Sequence, residues 1–161
     1  MKLITLNTWG GPIFDPLLKF IEMNTDADIL CLQEVFHTES NQTVIQRGAR
    51  ADMYKAISAL LPDHVGYFAS AQDSIQPGGI EADFHLEFGL ATFIRKSTTV
   101  KDYDVKFVYR HKNGRLNDSL GSMGRNIQCF ELLHEGEMWS VINFHGLWNG
   151  QGKSDTEDRI L

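Results

Sequence analysis

Polar side chains follow three apolar stretches of the sequence. Asn7 comes after the run LITL, the pair Gln33-Glu34 after ILCL, and His145 after VINF. In open α/β sheets, the loops at the carboxyl ends of strands release side chains from the core, and ligands bind there. Polar residues are also common at strand ends simply because the chain enters solvent there. We nevertheless expect these side chains to meet at one site.

The residue types suit phosphate chemistry. Mg²⁺ prefers one or two carboxylates, with water and substrate oxygens completing its coordination, and Glu34 offers a carboxylate. Asn7 offers an amide that orients a phosphate or a neighbouring ligand, and His145 offers a proton or a hydrogen bond to developing charge. The guanidinium group of Arg125 offers bidentate hydrogen bonding to a phosphate. These residues favour metal-assisted phosphoester chemistry.

Short segments occur in a characteristic order along the chain, namely LNTWG, ADILCLQEV, FGLATFIRK, SMGRNI and INFHGLWNGQGKSDTEDR. LQE after an apolar run is unspecific by itself, but its order with NTWG, GLA and FHG is specific. Together the segments resemble the endonuclease/exonuclease/phosphatase family, in particular its deoxyribonuclease-like members. The resemblance covers nearly all 161 residues.

The resemblance implies a fold and an activity. The fold is α/β, as part of a four-layer sandwich in which mixed β-sheets are flanked by helices. The activity is metal-dependent hydrolysis of phosphoester bonds, as a phosphodiesterase, nuclease or phosphatase. Mg²⁺ is the implied cofactor, with Mn²⁺ as an alternative, and a phosphoester is the implied partner.

The resemblance also implies roles for individual residues. Glu34 and Asn7 correspond to residues at the metal. His145, Asn7 and Glu87 correspond to catalytic residues, with Glu87 matching an acid that pairs with the histidine in the deoxyribonuclease branch. Arg125, Asn7 and His145 correspond to residues that contact the substrate phosphate.

The chain departs from the family pattern in its later motifs. It contains no Gly-Asp-x-Asn and no Ser-Asp-His, which in the family orient the attacking water and complete the metal and phosphate sites. We therefore expect residues 1–161 to form an incomplete domain, truncated at the carboxyl terminus, with little turnover. A capping box at Ser154-Asp155-Thr156-Glu157, close to Leu161, also predicts that the natural chain continues. A truncated sheet exposes an apolar face, so self-association is a further expectation.

Two other functions remain open. The same fold without the chemistry is an inert fragment or a binding module. A two-carboxylate glycosidase needs paired acids, for which Glu34 and Glu87 are available, but it leaves Asn7 and Arg125 unexplained. Within the family, FHGLW stands where abasic-site endonucleases carry a Tyr motif, which disfavours that branch.

Residues beside the candidate site have alternative interpretations. Aromatic residues near the candidate site either line a pocket or pack in the core. They are Trp9, Trp148 and Phe36. Gln33 and Asn143 are expected to support the site through hydrogen bonds. GQGKSD lacks the spacing of a phosphate-binding P-loop and is interpreted as a loop before a helix.

Charge and hydropathy restrict the partners. Lys plus Arg number 15 and Asp plus Glu 21, for a net charge of -6 at pH 7. This balance argues against tight, sequence-independent binding of duplex DNA and leaves small phosphoesters, lipid headgroups and single strands open. No run approaches the ~20 apolar residues of a membrane span, and MKLITLN is too short for a signal peptide, so a cytoplasmic location without a transmembrane segment is expected. Cys31 and Cys129 lie in apolar runs and are predicted to be buried thiols.

Apolar patterns predict the elements that position these residues. Strands are predicted at 2–8 and 28–35, with a helix between them that Asp15 caps, an order typical of a parallel pair. A long amphipathic helix is predicted over Ser40–Leu61 and an exposed loop over Ala69–His85. Further strands are predicted at Phe88–Arg95, Val105–Arg110, Arg125–Leu133 and Met138–Phe144, with a hairpin connection at His134–Glu137.

Overall fold

The apolar strands form two β-sheets that pack face to face, with helices on one outer side. The computed structural model describes residues 1–114 and 123–146. The predictions for Ser154–Glu157, GQGKSD and Trp148 lie outside the described residues. In chain order the elements are β1 (Leu3–Asn7), α1 (Phe14–Glu22), β2 (Ile29–His37), a 3-10 helix (Gln46–Gly48), α2 (Met53–Leu60), β3 (His64–Asp73), β4 (Ile75–Gln76), β5 (Ile80–Glu81), β6 (Glu87–Arg95), β7 (Thr99–Tyr109), β8 (Arg125–His134) and β9 (Glu137–Phe144).

The first sheet has its strands in the order β1-β2-β6-β3. β1 and β2 are parallel and α1 connects them, as the strand-helix-strand pattern predicted. β6 pairs antiparallel with both β2 and β3, so the sheet is mixed. β2 is buried along nearly its whole length, which explains why its sequence is continuously apolar rather than alternating.

The second sheet is antiparallel, in the order β7-β8-β9. Burial between the sheets raises the pKa of Cys31 to about 11, so this thiol stays protonated at neutral pH, as expected of a small buried side chain. The buried residues that join the sheets are Ile29, Cys31 and Ile94 from the first and Phe130, Leu132 and Val141 from the second.

Both helices cover the other face of the first sheet. Leu17 and Ile21 of α1 and Met53 and Ile57 of α2 are buried there. The same cluster includes Leu30, Leu32, Ala91 and Phe93 from β2 and β6. The described residues therefore form a helix layer and two sheet layers, which confirms the α/β sandwich.

The outer face of the second sheet is apolar and exposed along β9. Met138, Ile142 and Phe144 are 59%, 62% and 41% exposed, and they alternate with the inward Val141 and Asn143. No helix within residues 1–114 and 123–146 packs on this face. In the same ranges, no helix has both the length and the apolar character needed to cross a membrane.

The hairpin between β8 and β9 is confirmed. Glu135 and Gly136 connect the strands with φ values of 51° and 85°. Positive φ at both central residues is typical of the type I′ turn that joins antiparallel strands through two residues.

The long helix predicted over Ser40–Leu61 is wrong, because only Met53–Leu60 is α-helical. Arg47 has a left-handed φ of 59°, which interrupts any helix at this point. The backbone N–H of Arg50 donates to the carbonyl of Gly10 at 2.8 Å instead of to a preceding helical turn. Contacts with a distant loop therefore override the helical spacing of apolar residues.

Other boundaries also differ from the predictions. The predicted loop at Ala69–His85 is wrong in its first part, because β3 continues to Asp73 and the short β4-β5 pair follows. β3 lies at the edge of its sheet, where polar residues are tolerated, and this polarity caused the error. β7 begins at Thr99 rather than Val105, and Ile13 rather than Asp15 occupies the cap position of α1.

We predict that Leu132→Ala destabilises the fold by about 2–5 kcal/mol, because it leaves a cavity between the sheets. Leu132 is 0% exposed, whereas Met23 at the end of α1 is 72% exposed. The control Met23→Ala should change stability by about 0.5 kcal/mol or less. Urea denaturation followed by circular dichroism measures both, and equal losses would contradict the packing of the two sheets.

Candidate active site

Asn7, Glu34 and His145 lie in direct contact at one edge of the two sheets. The amide nitrogen Nδ2 of Asn7 is 3.0 Å from Glu34 Oε1 and 3.3 Å from His145 Nε2. His145 Nε2 is also 3.2 Å from Glu34 Oε1. Asn7 and His145 are 138 positions apart in sequence, so the fold alone brings them together.

A β-bulge aims Glu34 into this cluster. The register between β2 and β6 pairs Leu32 with Ala91 but Val35 with Gly89, so one extra residue stands on β2. Glu34 lies in the bulge with a left-handed φ of 58°. Bulges re-aim side chains and are frequent next to active sites. Without the extra residue, the strict alternation of a strand would set the direction of Glu34.

The loop after β1 holds the bulge in place. The hydroxyl of Thr8 lies 2.9 Å and 3.0 Å from the carbonyl oxygens of Gln33 and Glu34. The N–H of Gly10 donates to the Glu34 carbonyl at 3.1 Å. The backbone on both sides of Glu34 is therefore fixed by the segment that carries Asn7.

Buried amides fix the end of β9, which carries His145. Gln33 Nε2 donates to Asn143 Oδ1 at 2.7 Å, and this bond crosses from the first sheet to the second. Asn143 Nδ2 lies 3.0 Å from Thr92 Oγ1 and 3.3 Å from Gln128 Oε1. The structure thus places Gln33 and Asn143 as supporting residues, in agreement with the expectation from the sequence.

Sequence reasoning missed Thr92 and Gln128, which are both fully buried. Thr92 Oγ1 donates to Gln128 Oε1 at 2.8 Å, and Gln128 Nε2 donates to the carbonyl of Tyr67 at 3.0 Å. The available signal was a polar residue inside each of the apolar runs LATFI and NIQCF. Buried polar groups are normally hydrogen-bonded, so such residues predict a partner within the core.

Glu34 is stabilised as a carboxylate. Burial by itself raises the pKa of Glu34, but hydrogen bonds from His145 and Asn7 and the charges of His145 and Arg125 outweigh it. The net pKa lies below the ordinary value for glutamate. Glu34 is therefore ionised at neutral pH, which a metal ligand requires.

Arg125 is a buried cation beside this carboxylate. It begins β8 and is only 5% exposed, and its Nε has no hydrogen-bond partner among the described residues. Burial lowers the pKa of Arg125, and the charges of Glu34 and Tyr109 offset part of this effect. An arginine remains protonated in proteins. The phosphate-binding role of Arg125 stays a prediction.

Glu87 lies outside the cluster, although the sequence predicted that it would pair with His145. It is the first residue of β6, and its carboxylate lies 3.6 Å from Lys112 Nζ and 4.0 Å from His85 Nε2. Lys112 also pairs with Asp73 at 2.9 Å. Within the described residues, Glu87 and His145 form no ion pair, and His145 Nε2 lies 3.2 Å from Glu34 Oε1. The side chain of Glu87 belongs to an ion-pair group at the start of β6.

The donor set is compatible with one hard cation. Within the described residues, no group of three or more His, Cys, Asp or Glu side chains is arranged to hold a metal. Glu34 Oε2 makes no hydrogen bond to this part of the chain, because both contacts use Oε1. Asn7 Oδ1 accepts one hydrogen bond, from the N–H of Trp9 at 2.9 Å, and keeps a second lone pair. One carboxylate and one amide oxygen suit Mg²⁺, which retains several waters.

The flanking aromatic residues separate into two roles. Phe36 is 4% exposed and packs with Ala49 and Leu86, so it belongs to the core. Trp9 is 70% exposed directly beside Asn7. Of the two interpretations made from sequence, core packing applies to Phe36 and does not apply to Trp9.

Solved structures share this architecture. An endonuclease/exonuclease/phosphatase family protein from Leptotrichia buccalis superposes with a TM-score of 0.64 at 15% identity, over 99% of this chain and 60% of that one. A mannosyl-6-phosphatase from Bacteroides thetaiotaomicron gives 0.58 at 14% identity, over 92% and 52%. TDP2 from D. rerio, in complex with a single-strand DNA product, gives 0.53 at 11% identity, over 93% and 47%.

These similarities identify the fold as that of the endonuclease/exonuclease/phosphatase proteins, which confirms the resemblance seen in the sequence. The chain spans about 60% of the Leptotrichia buccalis protein. No protein-family model and no curated protein sequence matches the chain.

We predict that His145→Ala raises the pKa of Glu34, because the hydrogen bond and the charge of His145 lower it in the native protein. NMR titration of the Glu34 carboxyl carbon should give a midpoint below about 4.3 in the native chain and a higher one in the variant. The control His85→Ala removes an exposed histidine outside the cluster and should leave the midpoint unchanged.

The same shift sets the direction of the pH effect on stability. Because the folded-state pKa of Glu34 is depressed, its stabilising contribution is complete above the unfolded pKa of about 4.3 and is lost as the pH falls through the folded pKa. An identical Glu34 midpoint in the native chain and His145→Ala would contradict the contact between these residues.

Proposed function

We propose that this chain contributes to a divalent-metal-dependent hydrolase of phosphoester bonds, with its site at Asn7, Glu34, His145 and Arg125. The observation that carries the proposal is the direct contact of Asn7, Glu34 and His145 at the strand ends, 3.0–3.3 Å apart. The half-buried position of Glu34 and His145, with side chains 27% and 25% exposed, leaves the cluster open to a ligand. The fold similarity to a mannosyl-6-phosphatase and to TDP2 supports the same chemistry.

The proposal assigns the metal to Glu34 and Asn7. Glu34 Oε2 and the free lone pair of Asn7 Oδ1 are the oxygens that would hold Mg²⁺, with Mn²⁺ as an alternative. The bound cation supplies Lewis-acid polarisation of a phosphoryl oxygen. The hydrogen bonds from Asn7 and His145 to Oε1 keep the carboxylate charged and oriented.

The proposal assigns phosphate contacts to His145, Asn7 and Arg125. His145 Nε2 donates to Glu34 when it carries the ring proton, and the same N–H can transfer its hydrogen bond to a phosphate oxygen that gains charge. Asn7 Nδ2 provides a second donor at the same place. The buried cation of Arg125 would add electrostatic attraction for the phosphate, and its Nε has no hydrogen-bond partner within the described residues.

Glu87 is not included in the proposed site. Its carboxylate contacts Lys112 and His85, and within the described residues it contacts neither Glu34 nor His145.

Glu34→Gln should weaken Mg²⁺ binding by at least about tenfold, because it removes the carboxylate from the cluster. Isothermal titration calorimetry of the 161-residue chain with MgCl₂ measures this directly. Glu39→Gln is the matched control, since Glu39 is 81% exposed and follows the same strand. Equal Mg²⁺ affinity in both variants would contradict the assignment, and circular dichroism should show that both remain folded.

The same preparations should turn over a chromogenic phosphodiester at close to the background rate. The chain contains no Gly-Asp-x-Asn or Ser-Asp-His to position an attacking water, and general-base assistance is typically worth ~10²–10⁴-fold. Strong EDTA-sensitive turnover would refute this part of the proposal.

The second candidate function is a binding module that keeps the fold without the chemistry. The two candidates differ in metal binding. Mg²⁺ binding that depends on Glu34 favours the hydrolase site, whereas the absence of any Mg²⁺ binding favours the inert module.

We also propose that residues 1–161 form one incomplete domain of this fold. We further propose that the exposed outer face of the second sheet pairs with a second copy of the chain. Met138, Ile142 and Phe144 lie on the outward face of β9, an edge strand of that sheet in the described residues, with Ser140 between Met138 and Ile142. Light scattering should show an associating species that Ile142→Lys dissociates. Met23→Lys, at a position 72% exposed at the end of α1, is the control and should leave it intact. A clean monomer of the native chain would refute the proposal.

A further inference from the structure

Trp9 is exposed to an extent that is unusual for a tryptophan. Its exposed fraction is 70%, whereas tryptophan side chains are on average highly buried. The neighbouring Phe36, in contrast, is 4% exposed in the core. Trp9 therefore contributes little to packing, and its exposure calls for another explanation.

The backbone keeps Trp9 in this position at an energetic cost. Its φ is 54°, in the left-handed region that bulky residues rarely adopt. Glu34, in the β-bulge, has a φ of 58°. Strained residues of this kind cluster at functional sites, where the surrounding structure over-determines them. Seven described non-glycine residues have a positive φ, and two of them, Trp9 and Glu34, are hydrogen-bonded to Asn7.

The loop that carries Trp9 is rigidly attached to the candidate site. The N–H of Trp9 donates to Asn7 Oδ1 at 2.9 Å, and the N–H of Gly10 donates to the Glu34 carbonyl at 3.1 Å. A Cβ atom at Gly10 would lie 2.9 Å from the ring of Phe36, and one at Gly11 would lie 2.5 Å from Met53 Cε. The loop thus sits directly on the core, with Trp9 held at the border of the Asn7-Glu34-His145 cluster.

We propose that Trp9 is a specificity-determining residue whose indole stacks on a ring of the group that carries the phosphate. This inference rests on the proposed function, because it assumes that the cluster binds the phosphoryl group. An exposed indole on a fixed backbone offers a flat apolar face that a nucleobase or a pyranose ring can cover. Stacking of a base on an aromatic side chain does not depend on the base identity, because every base has a π-face.

The acidic net charge of the chain argues against an anionic membrane as the partner of Trp9. Ile13 and Val44 are 64% and 58% exposed on segments next to the Trp9 loop, and such residues also occur at lipid surfaces. Anionic membranes, however, attract basic segments, and this chain is acidic. A ring-bearing phosphoester is therefore the partner that fits.

Calorimetric titration of the Mg²⁺-loaded 161-residue chain with three probes tests the inference. The probes are inorganic phosphate, thymidine 5′-monophosphate and glucose 6-phosphate. At least one ring-bearing phosphate should bind about tenfold more tightly than inorganic phosphate, and which of the two does so identifies the ring. Trp9→Ala should remove this advantage and leave the affinity for inorganic phosphate unchanged, while Trp9→Phe should retain most of it.

Trp139→Ala is the matched control, since Trp139 is 41% exposed near the opposite end of β9 from His145. It should change none of the affinities. If inorganic phosphate does not bind, the proposed function and the role of Trp9 both fail. If it binds but the ring-bearing probes gain nothing, or Trp9→Ala weakens all three equally, only the role of Trp9 is overturned. Loss of binding to phosphatidylcholine vesicles in Trp9→Ala, without any ring advantage, would overturn it in favour of a lipid surface.

Discussion

A hydrogen bond of 2.7 Å between Gln33 Nε2 and Asn143 Oδ1 joins the two β-sheets below the candidate site. Both side chains are buried, so each would pay a desolvation penalty if the other moved away. The bond therefore fixes the position of β9 relative to β2. Glu34 follows Gln33 directly, and His145 stands just beyond Asn143. A shift between the sheets would break this amide contact and separate Glu34 from His145 at the same time.

The electrostatics of the cluster follow from this placement. Burial opposes the charge on Glu34, but Asn7 and His145 both contact the same carboxylate oxygen, and the cation of Arg125 is near. The pKa of Glu34 falls as a result. Its other carboxylate oxygen, Oε2, makes no hydrogen bond within the described residues. Arg125 is buried, and its Nε has no hydrogen-bond partner within the described residues. Under the proposed function, Glu34 would hold the cation and Arg125 would attract the phosphate.

Several features were predictable because short-range physics controls them. Continuous apolar runs predicted β1 and β2, and the intervening helix predicted their parallel pairing. The polar residues Asn7, Glu34 and His145 were visible as interruptions of apolar segments. The predicted helix over Ser40–Leu61 failed because hydrogen bonds to Gly10 reshape residues around Arg50. The Glu87–His145 pair is not formed within the described residues, where Glu87 lies 3.6 Å from Lys112 Nζ on a separate segment.

The sequence by itself determined the residue types at the strand ends, the α/β class and the order of the motifs, since these depend on local pattern alone. Only the tertiary structure decided which polar side chains meet, because contact across 138 positions requires both sheets to pack in register. It also decided that Glu34 lies in a bulge and that Trp9 is exposed while Phe36 is buried. Bulges and burial arise from the pairing of distant strands, and no single segment contains that information.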